Sequence, residues 1–273
     1  MYFHNQTLST AEENLAFDEA LVETADSFPF DESIADEPAM GFGCANEMLR
    51  VWQLESPCVV LGRGSKWAEE VNELDCQRDG IPVLRRASGG ASIVAGPGCL
   101  MYSVLISYQN RPAWRALDVA HQKVMSRICK AVQRTVDMFQ LPLKIAIQGT
   151  CDLTTNGRKF SGNALRCKRN WMLYHGTILC SMPLEWLPLY LREPPRQPDY
   201  REKREHGAFV TNLLDTADSG NATAFQGELV RQLALVWNAT QPWDSCPWRD
   251  EADAVAKRLL AERYSNPQWH RSR

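Results

Sequence analysis

The sequence predicts an α+β fold, with a mixed, largely antiparallel central sheet flanked by helices. Three observations predict it. Short β-rich apolar runs and helical runs are mixed along the chain, but without the regular alternation of a βαβ protein. An Asn-Gly pair at 156–157 sits between two strand-like runs, the strongest short hairpin signal. Apolar residues at helical spacing mark a long helix in mid-chain and others at both ends.

In chain order, "STAEENLAFDEALVETA" reads as a helix opened by a Thr10-x-x-Glu13 capping box, with Leu15, Leu21 and Val22 on its apolar stripe. Residues 26–46 are acidic, with Pro and Gly, and read as a mobile loop. "LRVWQL", "PCVVLG" and "IPVL" are strand-like, and "ASIVAGPGCLMYSVLIS" is a longer β-rich stretch broken by Gly-Pro-Gly. Residues 118–139 place Val119, Met125, Ile128, Val132, Val136 and Phe139 at helical spacing. "LKIAI" is a strand, "DLTTNGRKFSG" a hairpin and "MLYHGTILC" another strand. Residues 184–220 read as irregular, and two helices follow near 225–238 and 249–263. We read one domain over 1–240, with its core at about 45–215, and a short helical tail over 241–273.

The chain has 273 residues, 44% of them hydrophobic, enough for one large core. No apolar run approaches the roughly 20 residues that cross a bilayer, and the N-terminus lacks the pattern of a signal peptide. Nine cysteines without a CxxC pair read as reduced thiols of a cytoplasmic protein. The five histidines lack zinc-ligand spacing. The net charge of −3 is unevenly spread: eleven acidic residues and no Lys or Arg precede Arg50. The remainder is basic, which suits an anionic ligand or an acidic protein partner as well as a solvated surface. The excess is too small to argue for nucleic acid.

"RRASGG" (85–90) raises the functional question. Arginine presents a rigid fork of donors that fits phosphate or carboxylate, and glycines let backbone N–H groups approach a ligand. A solvent-exposed arginine pair before an ordinary turn is the alternative. In "CDLTTNGRKFSGNALR" (151–166), Lys159 follows the hairpin turn and precedes Phe160, Ser161 and Gly162. In "LYHGTIL", His175 either packs or reaches a ligand through the gap left by Gly176. No Walker-type loop and no Gly-x-Gly-x-x-Gly is present.

Taken in order, "NLAFDEAL" (14–21), "SPCVVLGRGS" (56–65), "RRASGG", "CDLTTNGRKFSGNALR" and "HGTIL" (175–179) resemble the lipoate–protein ligase A family, within the biotin/lipoyl protein ligase superfamily. "FVTNL" (209–213) fits as well, so the resemblance runs from about residue 8 to about 215. It implies the class II synthetase-like fold of biotin/lipoyl ligases. It implies activation of lipoate, or octanoate, by ATP to an acyl-adenylate and transfer to a lysine of a lipoyl carrier protein. That carrier would be an E2 lipoyl domain or a glycine-cleavage H-type protein; no membrane or nucleic-acid partner is implied. By motif position, Arg85, Arg86, Ser88, Gly89 and Gly90 would build the loop around the acyl chain and adenylate phosphate. Ala91, Ser92, Ile93 and Val94 would line the site, joined by Ser161, Gly162, His175 and Gly176. Lys159 would hold the carboxylate and then the acyl phosphate, and Asp152 would help bind Mg2+ or the nucleotide. Negative charge gathers at the α-phosphate during activation, and losing one preplaced donor there commonly costs about 3 kcal/mol.

The sequence departs from the family pattern at four positions. Ala91 stands for a third glycine, Ala95 for a histidine, Cys99 for an asparagine, and Cys151 for the asparagine of Asn-Asp-Leu. "AGPGCL" resembles the His-Gly-Pro-Gly-Gln stretch of octanoyl-carrier transferases, which need no ATP and use a cysteine beside the lysine. Cys151 and Cys99 are the candidates for that chemistry, or else small buried fillers. A paralogue that binds the carrier without catalysis is a third reading, and the intact Lys159 argues against it. About sixty residues follow "FVTNL", too few for the family's full accessory domain, so a separate accessory chain is an expected partner.

Overall fold

Twelve strands occur among the described residues of the computed structural model, which are 1–28, 46–215 and 219–272. They are β1 (Tyr2–Asn5), β2 (Met48–Trp52), β3 (Cys58–Leu61), β4 (Val83–Arg85), β5 (Ile93–Ala95) and β6 (Cys99–Ser107), then β7 (Ile145–Gln148), β8 (Asp152–Thr155), β9 (Arg158–Ser161), β10 (Asn163–Cys167), β11 (Trp171–Leu179) and β12 (Gln241–Pro242). The acidic stretch expected as a loop at 26–46 lies, apart from its ends, outside the described residues.

The main sheet runs β10-β11-β6-β2-β1-β12. Its first four strands pair antiparallel, while β2, β1 and β12 pair parallel. This is the mixed, largely antiparallel sheet that the sequence predicts. β6 and β11 are adjacent inner strands of this sheet, and all nine residues of each are buried. A strand covered on both faces reads as a continuous apolar run, which is why "CLMYSVLIS" stands out in the sequence. Two three-stranded sheets, β4-β3-β5 and β7-β8-β9, flank it.

Helices cover the sheet. The helix Ala11–Ser27 opens on the predicted capping box: the Glu13 amide donates to Thr10 Oγ1 (3.1 Å), and the Thr10 amide to the Glu13 carboxylate (2.9 Å). Such a cap contributes about 1 kcal/mol. This helix packs on β11 and on the helix Arg249–Leu259. The mid-chain helix, Leu117–Met138, buries Val124, Met125, Ile128, Val132 and Val136 against the helix Ser219–Trp237 and β7. The Asn-Gly turn joins β8 to β9, with Asn156 and Gly157 both at positive φ (51° and 70°) as a type I′ turn requires.

Two regions depart from expectation. The stretch 184–220 holds short helices at Trp186–Tyr190 and His206–Phe209. The residues expected as a short helical tail over 241–273 are largely helical and also carry a strand. β12 joins the main sheet beside β1, and the helix Arg249–Leu259 runs into a π turn at Leu260–Tyr264 and a short helix at Pro267–His270.

Candidate active site

β9 delivers Lys159, its second residue, to the centre of the site. Its carbonyl accepts from the Thr211 amide (2.8 Å), so "FVTNL" pins the strand from behind. The Lys159 ammonium lies 2.8 Å from Asp152 Oδ1 and keeps 28% of its side chain exposed. Asp152 sits at the start of β8, and its second oxygen accepts from the Tyr200 hydroxyl (2.7 Å). Burial and that carboxylate push the Tyr200 phenol well above its usual range, so it remains a donor. Gly162 leaves room for the lysine: a Cβ there would lie 2.9 Å from both Cε and Nζ of Lys159. A Cβ on Gly176 would lie 1.7 Å from Asn163 Oδ1 and 2.9 Å from the Gly162 carbonyl oxygen, so the close approach there leaves no room for a side chain.

Lys159 borders two adjoining clefts, which also share Ala91, Ser92, Ile93, Gly162 and Thr177. The first has an apolar end made by Leu15, Trp52, Val60, Ile93 and Met101, and a polar wall that includes Asp18 and His175. The second is lined largely by apolar residues, among them Val94, Phe160, Leu179, Leu187 and Phe209, and reaches Arg196, His206 and the buried Arg201, which is paired with Glu193. Both clefts can take apolar groups, an ammonium stands on the wall they share, and Arg196 adds an exposed cation to the second.

The loop after β4 closes the first cleft. Gly90 sits at φ +89°, where a side chain would be strained and would meet Arg86. Arg86 is buried, with its nitrogens on Ser88 Oγ (3.0 Å) and the carbonyls of Val60 (3.2 Å), Gly89 (2.6 Å) and Ala91 (3.0 Å). Burial brings its pKa down to about 10, with Glu70 opposing. Glu70 also accepts from the amide and hydroxyl of Ser92, at 2.9 and 2.7 Å, and so holds the start of β5.

Arg85 is placed differently from Arg86. Successive side chains on a strand face opposite ways. The Arg85 guanidinium donates to the carbonyls of Gly62 (2.8 Å), Ser65 (2.7 Å) and His270 (2.8 Å), and Arg85 lines neither cleft. Of the two arginines expected to build the loop around the ligand, Arg86 lies at the cleft and Arg85 braces the loop from behind.

A model of the lipoyl protein ligase A/B catalytic domain matches residues 10–234. The chain belongs to this family. Lipoate-protein ligase LplJ of Bacillus subtilis is 21% identical over 278 residues, spanning all of this chain and 74% of LplJ. The chain spans between 35% and 63% of the next four lipoate-ligase relatives. Among solved structures, the bi-partite lipoate protein ligase of Thermoplasma acidophilum superposes with a TM-score of 0.71 at 19% identity, over 99% of this chain and 96% of that one. A lipoate-protein ligase A bound with ATP superposes with a TM-score of 0.70 at 20% identity, over 99% of each chain. These neighbours share the biotin/lipoyl ligase fold.

Within this lipoyl ligase domain, Arg86, Gly90, Ala91, Ser92, Ile93, Lys159, Gly162, His175 and Gly176 come together on the first cleft. Val94 and Ser161 line the second. Ser88 stands behind the wall, its Oγ 2.5 Å from His175 Nε2, and Gly89 turns its carbonyl to Arg86. Asp152 backs Lys159 rather than lining either cleft.

The two cysteines are poorly placed for nucleophilic work. Cys99 is fully buried, which pushes its thiol up to about 12. Burial, then the Asp152 charge, pushes Cys151 up to about 11, and its thiol lies against the Asn163 carbonyl (3.2 Å).

Three parts of the site carry roles that the sequence did not assign, although all lie in stretches that carry the family resemblance. Asp18 is buried in the first helix, 2.5 Å from Arg50 Nη1, 2.7 Å from Ser103 Oγ and 3.6 Å from His175 Nδ1. Burial opposes its charge, but Arg50, with help from His175 and Ser103, holds the carboxyl below the usual carboxylate range. Its acidic place in "NLAFDEAL" gave no sign that it faces inward. Asn163 bridges the Tyr102 hydroxyl and the Cys151 carbonyl. "GRGS" at 62–65 backs the arginine loop: the Arg63 amide donates to the Ser88 carbonyl (2.8 Å), and a Cβ on Gly62 would strike the Gly90 carbonyl at 1.9 Å.

Proposed function

We propose that this chain is a lipoate–protein ligase. It activates lipoate, or octanoate, with MgATP and passes the acyl group to a lysine of a lipoyl carrier protein. The single observation that carries this reading is Lys159 on the wall between two adjoining clefts, one with an apolar end and one that reaches the exposed Arg196. The acyl chain would occupy the first and the nucleotide the second.

The carboxylate oxygen attacks the α-phosphorus, the bond to pyrophosphate breaks, and pyrophosphate leaves with the electron pair. The amine of the carrier lysine then attacks the acyl carbon, the carbon–oxygen bond to AMP breaks, and the amine loses its proton. Lys159 would neutralise the carboxylate and then the α-phosphate, and Asp152 with Tyr200 would hold the ammonium in line. Arg86 would act by shaping the loop, since its fork is filled by loop carbonyls. His175 and Asp18 would form the polar wall of the first cleft, with Ser88 behind His175.

No group of three or more His, Cys, Asp or Glu that could hold a metal occurs among the described residues. Both Asp152 oxygens are engaged, by Lys159 and Tyr200. Mg2+ would enter with the nucleotide phosphates and several waters, and Asp152, the candidate carboxylate, would have to release one of these partners to join it. The carrier reading draws on the Thermoplasma ligase, whose structural description includes its E2 lipoyl domain, and its bi-partite make-up suits a separate accessory chain here. Among the described residues no helix is long and apolar enough to cross a membrane. We keep the cytoplasm as the expected compartment.

Transfer to a lipoyl domain tests the reading in two arms: from free lipoate with MgATP, and from an acylated carrier without ATP. ATP-dependent transfer supports the ligase. ATP-independent transfer that is lost in Cys151→Ser would replace it with a transferase.

A further inference from the structure

The loop that shapes the first cleft hangs on the edge of a small sheet. In the order β4-β3-β5, β4 is an outer strand. An outer strand leaves backbone N–H and C=O groups without a strand partner on its open side. At Arg85 that side is filled by residues far along the chain. The Arg85 amide donates to His270 Nδ1 (2.9 Å), and the Arg85 carbonyl accepts from Trp269 Nε1 (3.0 Å). The guanidinium adds two contacts to the His270 carbonyl, at 3.1 and 2.8 Å.

His270 is itself buried and fixed. Since Nδ1 accepts from Arg85, Nε2 carries the proton and donates to the Tyr264 carbonyl (2.8 Å). The Tyr264 hydroxyl donates to Glu19 Oε2 (2.8 Å), and Arg263 pairs with the same carboxylate. Glu19 follows Asp18, which faces the first cleft. On the other side, Arg86 follows Arg85. A chain of contacts thus runs behind the cleft and joins its two walls. The segment that carries it lies beyond residue 234, where the family match ends.

We propose that His270 is a positioning residue: by holding the Arg85 backbone on the open edge of β4, it sets where Arg86 and the Ser88–Gly90 turn stand at the cleft. The inference rests on the ligase reading for its consequence, not for its geometry. It requires that an acceptor at the Nδ1 position matters more than the donor at Nε2.

Two conservative variants separate those atoms. His270→Asn keeps an acceptor near Nδ1 and loses the donor to Tyr264. His270→Gln reaches the Nε2 position and leaves the Arg85 amide without its partner. Both are assayed for lipoate transfer well below their melting temperatures, beside hydrogen exchange of the 83–90 segment. We expect His270→Asn to stay within about twofold of wild type, and His270→Gln to lose roughly tenfold in kcat/KM and to exchange faster at 83–90. Equal kinetics and equal exchange in the two variants, or losses that follow melting temperature alone, overturn the proposal. If the wild-type protein transfers no acyl group, the ligase reading fails, and the exchange difference alone decides the role of His270.

Discussion

A single methyl group at Gly162 tests whether Lys159 works where the structure puts it. A Cβ there would stand 2.9 Å from Lys159 Cε and Nζ, and 3.8 Å from Asp152 Oδ1. Ordinary contact begins at 3.4 Å, so the lysine must retreat by at least about 0.5 Å while the aspartate stays. Its ion pair with Asp152, now 2.8 Å, then lengthens beyond a good charged hydrogen bond. Misplacement of a reacting group by about 1 Å can cost roughly a hundredfold, so a shift of half that in Gly162→Ala is expected to cost about ten- to a hundredfold in kcat/KM. Stability should change by no more than about 1 kcal/mol, because the lysine end can move and an alanine restricts the unfolded chain. The assay is lipoate transfer to a lipoyl domain in wild type and Gly162→Ala, beside their melting temperatures. Wild-type kinetics in Gly162→Ala, or a loss that follows melting temperature alone, would show that the methyl does not act through the lysine.

Three further outcomes follow from the same geometry. Arg86→Lys keeps the charge but cannot serve Val60, Ser88, Gly89 and Ala91 together, so kcat/KM should fall at least about tenfold; unchanged kinetics would make the loop independent of it. With thiols at about 11 and about 12, Cys151→Ser and Cys99→Ser should keep ATP-dependent transfer within about threefold, and alkylation of either residue at pH 8 should be slow. Asp18→Asn leaves Arg50 buried without its counter-charge and should cost about 3 kcal/mol at pH 7. The Asp18 pKa is lowered by folding, so its contribution is complete above the unfolded value of about 3.9 and is lost as pH falls through the folded value. Urea midpoints from pH 7 to pH 3 should therefore show the gap between wild type and variant narrowing only below about pH 4; a constant gap contradicts the assignment.

Much of the fold can be read from local pattern. The Asn156-Gly157 hairpin is legible because the turn needs two residues at positive φ, and β6 and β11 because strands buried on both faces are continuously apolar. β1, β10 and β12 are not legible. β10 is an edge strand of half-exposed residues, β12 has two residues, and β1 alternates with a histidine buried for reasons of tertiary packing. The site divides in the same way. Lys159 and the glycines beside it stand out because backbone and side chain must meet closely there. Which of two adjacent arginines faces the cleft depends on the face of β4 that the edge partner covers. That partner, His270, lies 185 residues away from Arg85. Asp18 is equally hidden, since its reason for burial is Arg50, 32 residues on.

The central claim is that this chain makes an acyl-adenylate at Lys159. ATP–pyrophosphate exchange, measured with lipoate, octanoate or biotin and without the carrier, tests it most directly, because exchange reports the first step alone. Exchange should require lipoate or octanoate, ignore biotin, and vanish in Lys159→Ala while the far-UV spectrum stays that of wild type. Exchange without added acid, or undiminished exchange in Lys159→Ala, would contradict it.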